Sequence, residues 1–189
     1  MLGIMDSSAL SRYLDYTKMR QLLRGAENDA ELFEKIVNTP FHGRVSAAFM
    51  GLGICVLLLK NTKSNMINPV ALSRTEQAED SMRRSAKPFK AIKIPADYDE
   101  NIVVRAIKTG QAQQTDDWQY LFVPGLRPED ARMNQAGAGI GCSVVYPVDT
   151  REGGAIIFSY FVSPEEITPS HHKFMKAYSE LAAKVLRRP

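Results

Sequence analysis

Two apolar runs, 142–148 and 154–162, flank the polar stretch 149–153. Runs of that length around a short polar turn predict two adjacent antiparallel strands, with Phe158 in their core. Gly137, Gly139 and Gly141 come just before at every second position and read as a flexible, close-packed strand entry or as backbone that lets a ligand approach closely. Pro169 then opens a long helix, with Phe174, Ala177, Tyr178, Leu181 and Val185 on one face.

The same reading extends upstream. Helical spacing of Leu10, Tyr13, Leu14 and Thr17 predicts a helix over 6–24, capped by Asp6 or Ser7 and ended by Gly25. Asn28 caps a second helix striped with Leu32, Phe33, Ile36 and Val37. Residues 54–59 are a buried strand. Residues 66–73 form a return strand that Pro69 assigns to a sheet edge. A polar helix is expected over 75–85. A half-exposed strand is expected over 89–94, where apolar and basic residues alternate. A further helix runs from Asp97 to Thr109, with Ile102, Val103, Ala106 and Ile107 inward. A short strand is placed near 112–114, and the rest of 111–136 reads as a long irregular loop rich in Pro and Gly. Such loops carry function more often than structure. Hairpin-linked strands with helices at the ends and in the crossovers give an α+β fold, an antiparallel sheet with helices on one face.

Composition narrows the class without choosing a chemistry. The 189 residues are 44% hydrophobic and 24% charged, as in one globular domain. A net charge of +3 is too mild to argue for nucleic acid or membrane. The longest apolar run, 45–59, is too short to span a bilayer as a helix. No secretory signal is read at the N-terminus, so a cytoplasmic location is expected. Cys55 and Cys142 both fall in apolar runs and read as buried thiols of a reducing compartment.

The order of elements and several segments resemble the GAF domain family. The matching stretches are 68–73 after the first hairpin, 89–95, 104–111, 115–118, 143–148 and 154–158, closed by the helix bearing Phe174 and Leu181. The resemblance covers roughly 28–186. It leaves residues 1–27 as an N-terminal helix that could serve dimerisation, and 28–189 as the GAF-like domain. It implies an antiparallel sheet of five or six strands, with helices packed on one face and a loop-covered ligand pocket on the other. It also implies a regulatory sensor, commonly a dimer through its terminal helices. Family members that bind bilins need a pocket cysteine, usually followed by histidine. Here Val56 follows Cys55, and Ser143 follows Cys142. The spaced set of cyclic-nucleotide binders is not found. The reductases of the family use a group of cysteines, which two distant ones match poorly.

Candidate site residues cluster in and after the irregular segment. Asp116 and Asp117 are adjacent carboxylates that cap a turn or hold a polar ligand group. Trp118, Tyr120 and Phe122 form an aromatic patch suited to a pocket wall, or to packing the loop itself. Cys142, Ser143 and Tyr146 supply the strand side; alternation puts Ser143 on the face opposite Cys142 and Tyr146, and leaves open which face meets the pocket. Arg83, Arg84, Lys87, Lys90 and Lys93 read as a solvated face or an anion-binding surface, since nucleic-acid binding would add stacking aromatics beyond Phe89. His42, His171 and His172 show no zinc-binding spacing. No catalytic motif, metal or cofactor is read. The expected partners are an unidentified small molecule, a second copy of the chain and a separate output protein. Three functions stay open: a non-catalytic small-molecule sensor, a protein-interaction module with a collapsed pocket, and a small redox enzyme using Cys142.

Overall fold

The computed structural model describes residues 14–43 and 47–187. The first part of the helix expected over 6–24 lies outside them. Its remainder is α1 (Tyr16–Arg24), capped by Asp15, whose carboxylate accepts the amide of Lys18. Helix α2 (Asp29–Asn38) starts at Asn28, whose side chain accepts from the amide of Glu31.

Strand β1 (Leu52–Asn61) pairs with β2 (Met66–Leu72) across the turn at 62–65. The register slips between Leu57 and Leu58, so that Leu57 faces Ala71 and Leu58 faces Pro69. A bulge at that point is where a strand tolerates a residue without an N–H. Strand β2 is not the outermost strand; the two-residue β3 (Ile94–Pro95) lies beyond it. Helix α3 (Glu76–Arg83) lies between them in sequence, and α4 (Ile102–Thr109) follows β3.

The expected strand over 89–94 is instead a 3-10 turn at Phe89–Ala91 followed by β3. A 3-10 turn brings residues three apart to one side. Phe89 and Ile92 satisfy that spacing as well as they satisfy strand alternation. The expected loop over 111–136 also needs correction. After β4 (Gln113–Thr115) it holds two helices, α5 (Gln119–Phe122) and α6 (Pro128–Ala138). Helix α6 turns Ala131, Asn134 and Ala138 inward. Small and polar residues leave no hydrophobic stripe by which the helix could be read. Gly137 therefore belongs to α6, and Gly139 is its left-handed cap with φ +66°. Only Gly141 stands at the strand entry, where an added Cβ would come within 2.4 Å of the Val162 carbonyl oxygen.

The hairpin expected from the apolar runs is present. Strand β5 (Cys142–Val148) pairs antiparallel with β6 (Gly154–Tyr160), from Cys142 opposite Tyr160 to Val148 opposite Gly154. Strand β6 also pairs with β1, giving a six-stranded antiparallel sheet in the order β3-β2-β1-β6-β5-β4. Helix α7 (Pro169–Leu186) closes the fold.

Alternation along the strands splits the core in two. On one face Cys55, Leu57, Cys142, Val144, Ile156, Phe158 and Tyr160 meet α1, α2 and α7 through Leu23, Ile36, Phe174 and Tyr178. On the other, Ile54, Val56, Val145 and Ile157 meet Ala78 of α3, Val103 and Ala106 of α4, Trp118, Leu121, Phe122 and α6. Among the described residues, no helix is long and apolar enough to cross a membrane.

Candidate functional site

The second face carries the candidate site. Trp118 is buried and sits beneath α6, with its ring edge-on to Phe122 at 5.4 Å between centroids. Its indole Nε1–H donates to Ser143 Oγ at 2.9 Å, and Ser143 Oγ lies 2.7 Å from Ser159 Oγ on the neighbouring strand. All three groups are buried, so the indole is aimed at the sheet by the only polar pair that strands β5 and β6 place beneath it.

The segment above the sheet is tied down by side chains bonded to backbone. Asn101 Oδ1 accepts the amides of Val103 and Val104, capping α4. Its Nδ2 donates to the carbonyls of Leu121 and Val123. Gln135 Oε1 accepts from the amide of Trp118, and its Nε2 donates to the carbonyls of Asp116 and Ile140. Lys87 Nζ donates to the carbonyl of Gly125.

Between this roof and the sheet lies a cavity of about 30 Å³. Ile54, Val56 and Leu72 form its floor; Met82, Phe89, Ile92, Trp118, Phe122 and Leu126 line the sides. Among the described residues, Ser81 and Asn134 contribute polar side chains to its lining beside the Trp118 indole. Asn134 is 3% exposed, and its Oδ1 has no hydrogen-bond partner. A space of this size holds about one water molecule.

The structure brings together three of the eight residues singled out from the sequence, namely Trp118, Phe122 and Ser143. Tyr120 points outward and is 47% exposed. Cys142 and Tyr146 lie on the opposite face, in the core beneath α7. There the Tyr146 hydroxyl meets His172 Nδ1 at 2.9 Å. Asp117 accepts from the amide and side chain of Gln119 and pairs with Arg132 at 2.9 Å. Asp116 and Asp117 border a separate, shallow depression with Arg132 and Gln135. Of the cavity lining, sequence reasoning singled out Trp118 and Phe122 and missed the floor residues Ile54, Val56 and Leu72 together with Asn134, Ser81, Met82, Phe89, Ile92 and Leu126. No sequence pattern marked Asn134, because α6 buries only Ala131, Asn134 and Ala138 and shows no apolar stripe.

Both thiols are free and buried. Burial pushes the Cys142 thiol up to about 12, with further upward pressure from the charges of Asp116, Glu165 and Glu166. Burial raises Cys55 as well. A reactive cysteine needs the reverse, a stabilised thiolate near water. Among the described residues, no three His, Cys, Asp or Glu side chains come together as a metal site requires.

The sequence matches no family model and no curated protein. Its fold, in contrast, recurs among solved structures. The GAF domain of an Acinetobacter phosphoenolpyruvate-protein phosphotransferase superposes with a TM-score of 0.60 over 97% of this chain and 94% of that one, at 10% identity. The chain has the GAF fold. The phycoerythrobilin-bound GAF domain of a cyanobacterial phytochrome gives 0.56 at 14% identity, covering 98% of this chain and 96% of its own. A free methionine-R-sulfoxide reductase from Neisseria meningitidis, in complex with its substrate, gives 0.62 at 12% identity, covering 98% and 93%. At these identities the likeness is one of fold, and the GAF fold carries both binding domains and an enzyme.

Proposed function

We propose that this chain is a non-catalytic GAF-type sensor that binds a small molecule between the sheet and the roof formed by α3, α5 and α6. One observation carries the reading: the cavity under Trp118 is lined by apolar side chains except at Ser81 and Asn134, and the buried Asn134 carbonyl has no partner. Among the described residues no acid, base or thiol lines it, which favours binding over proton-transfer or nucleophilic chemistry. The position agrees with the sheet face to which the family resemblance assigns the ligand.

The volume of about 30 Å³ favours a second reading, in which the pocket stays closed and the protein acts through protein contacts alone. Ligand-dependent stabilisation separates the two. A ligand bound only by the native state adds about 2.7 kcal/mol at 100-fold over Kd. Native mass spectrometry of the purified protein should show a co-purified small molecule, and its removal should change Trp118 fluorescence. Retained mass equal to the bare chain, with no compound in a metabolite panel raising the melting temperature, would hand the function to the interaction reading.

Self-association, a separate output protein and a cytoplasmic location complete the proposal. The apolar stripes of α1 and α7 are spent on the protomer's own core, with Met19, Leu23, Leu181 and Val185 buried. The outward faces carry Arg20, Arg24, Lys176, Glu180 and Lys184. A dimer through these helices is therefore a polar contact, and light scattering at rising salt tests it.

A further inference from the structure

We infer that the ligand of this cavity is a small, uncharged, mostly apolar molecule carrying one hydrogen-bond donor, and that Asn134 Oδ1 is the acceptor that selects it. The inference rests on reading the cavity as a ligand site.

Buried polar groups in folded proteins almost always have a partner. Asn134 breaks that rule at an inward position of α6, between Ala131 and Ala138, where an apolar residue would pack without penalty. Its neighbours on the roof do not break it. Gln135, one residue on, has both ends of its amide satisfied. The unused acceptor therefore stands out within a segment that otherwise spends its side-chain amides on structure. It calls for an N–H or O–H on whatever fills the cavity.

The walls set the rest of the ligand's character. They are aliphatic, aromatic and thioether groups, with the Ser81 hydroxyl as a further polar side chain. Among the described residues, no Lys, Arg, His, Asp or Glu lines the space. A carboxylate, phosphate or ammonium would enter without a counter-charge and lose its hydration, so charged ligands are excluded. Leu72, Met82 and Phe89 are half-buried, and the remaining lining residues are buried or nearly so. These three form the rim. The α6 side of the roof is held by Gln135 and the Arg132–Asp117 pair. Entry is therefore by the α3 side, where Met82 has an adaptable, unbranched side chain. A six-membered ring exceeds the present volume, so its binding displaces this rim.

The test uses phenol, toluene and benzoate with the full isotope-labelled chain, followed by NMR at Trp118 Nε1–H, the Asn134 side-chain amide and Met82. Phenol and toluene share a shape and differ by the donor. Phenol should bind at least tenfold tighter than toluene, about 1.4 kcal/mol, and shift all three sites; benzoate should shift none. This comparison needs no variant. Asn134→Leu should abolish the preference for phenol and, without ligand, melt above the parent chain, because the orphan acceptor is gone. Equal binding of phenol and toluene at these resonances would leave the cavity as a ligand site and overturn the donor class. No shift with either ring would overturn both readings together. An Asn134→Leu variant that folds but melts below the parent would show that the carbonyl is structurally engaged, and would overturn its role as selector.

Discussion

The two faces of one sheet are covered in different ways. Beneath α1, α2 and α7 the cover is rich in aromatic packing: Phe158 meets Phe174, Tyr178 and Tyr146 edge-on, at centroid distances of 5.9, 6.4 and 6.3 Å. Across the sheet, the cover from α3 to α6 is thinner in aromatic contacts and richer in side-chain amides bonded to backbone. The first arrangement is stabilised by area removed from water and resists opening everywhere at once. The second is held by a few polar ties around a small void, so it can yield at a rim while the ties elsewhere persist. The contrast also places the two cysteines, which lie in the closed core and not at the void.

The largest expected effect tests the closed face. Phe158 is fully buried among three rings, and Phe158→Ala should cost about 4 kcal/mol in urea unfolding. A loss under about 1 kcal/mol would show that the helix side repacks freely and erase the distinction. The next tests the polar face. Asn101→Ala removes the cap of α4 and leaves the carbonyls of Leu121 and Val123 without their donor. A cap is worth about 1 kcal/mol, and a buried group left unpaired about 1–3 kcal/mol, so the expected loss is about 3 kcal/mol. Hydrogen exchange should then quicken in α5 before it quickens in α7. Uniform quickening would mean that the two covers open as one unit.

These polar ties also explain what was legible in the sequence. The helix-side elements announced themselves: Leu32, Phe33, Ile36 and Val37 repeat at helical spacing, and β5 and β6 are continuous apolar runs. Both patterns arise because the elements bury whole stripes against apolar partners. The roof follows no such rule. Helix α6 buries Ala131, Asn134 and Ala138, and α5 is four residues long, so neither has a stripe to detect. Trp118, Phe122 and Ser143 were reachable because an aromatic patch beside a strand end is visible in one dimension. Alternation already set Ser143 apart from Cys142 and Tyr146, but it names two faces without saying which one α7 covers. Asn134 needed the fold, since an orphan carbonyl exists only once its neighbours are in place.

A smaller effect comes from pH at the end of the closed face. Thr168 donates its amide to His171 Nδ1, so the proton resides on Nε2, which donates to the Met50 carbonyl at 2.9 Å. Burial holds this imidazole's pKa below its usual value, with the neighbouring His172 adding to the depression and the bond to Met50 opposing it. The unfolded chain then binds a proton that the folded chain refuses. Stability is complete above about pH 6.5 and declines as pH falls from there towards the depressed folded value. The urea midpoint should therefore drop between pH 7.5 and pH 5.5, and His171→Gln should flatten that slope. Carboxylates whose pKa is lowered, such as Asp130 and Glu31, release their contribution at lower pH. An unchanged slope in His171→Gln would place the neutral imidazole outside the folding equilibrium.

The smallest effect separates packing from polar ties within the roof. Gly137 lies in α6, and a Cβ there would sit 2.5 Å from Cδ of Arg84, a side chain on the exposed end of α3. Alanine in a helix interior gains up to about 1 kcal/mol over glycine. Displacing the Arg84 stem opposes that gain, and the stem can swing outward. Gly137→Ala should therefore change stability by no more than about 0.5 kcal/mol. At Gly141 the obstacle is backbone, with the carbonyl oxygens of Val162 and Phe161 at 2.4 and 2.8 Å from the added carbon, and neither can move without disturbing the strand entry. Gly141→Ala should cost about 1–3 kcal/mol. Thermal melts of the two variants side by side decide the matter. A Gly137→Ala loss as large as that of Gly141→Ala would mean that α3 and α6 are locked together. The rim beside Met82 would then lose the freedom that ligand entry requires.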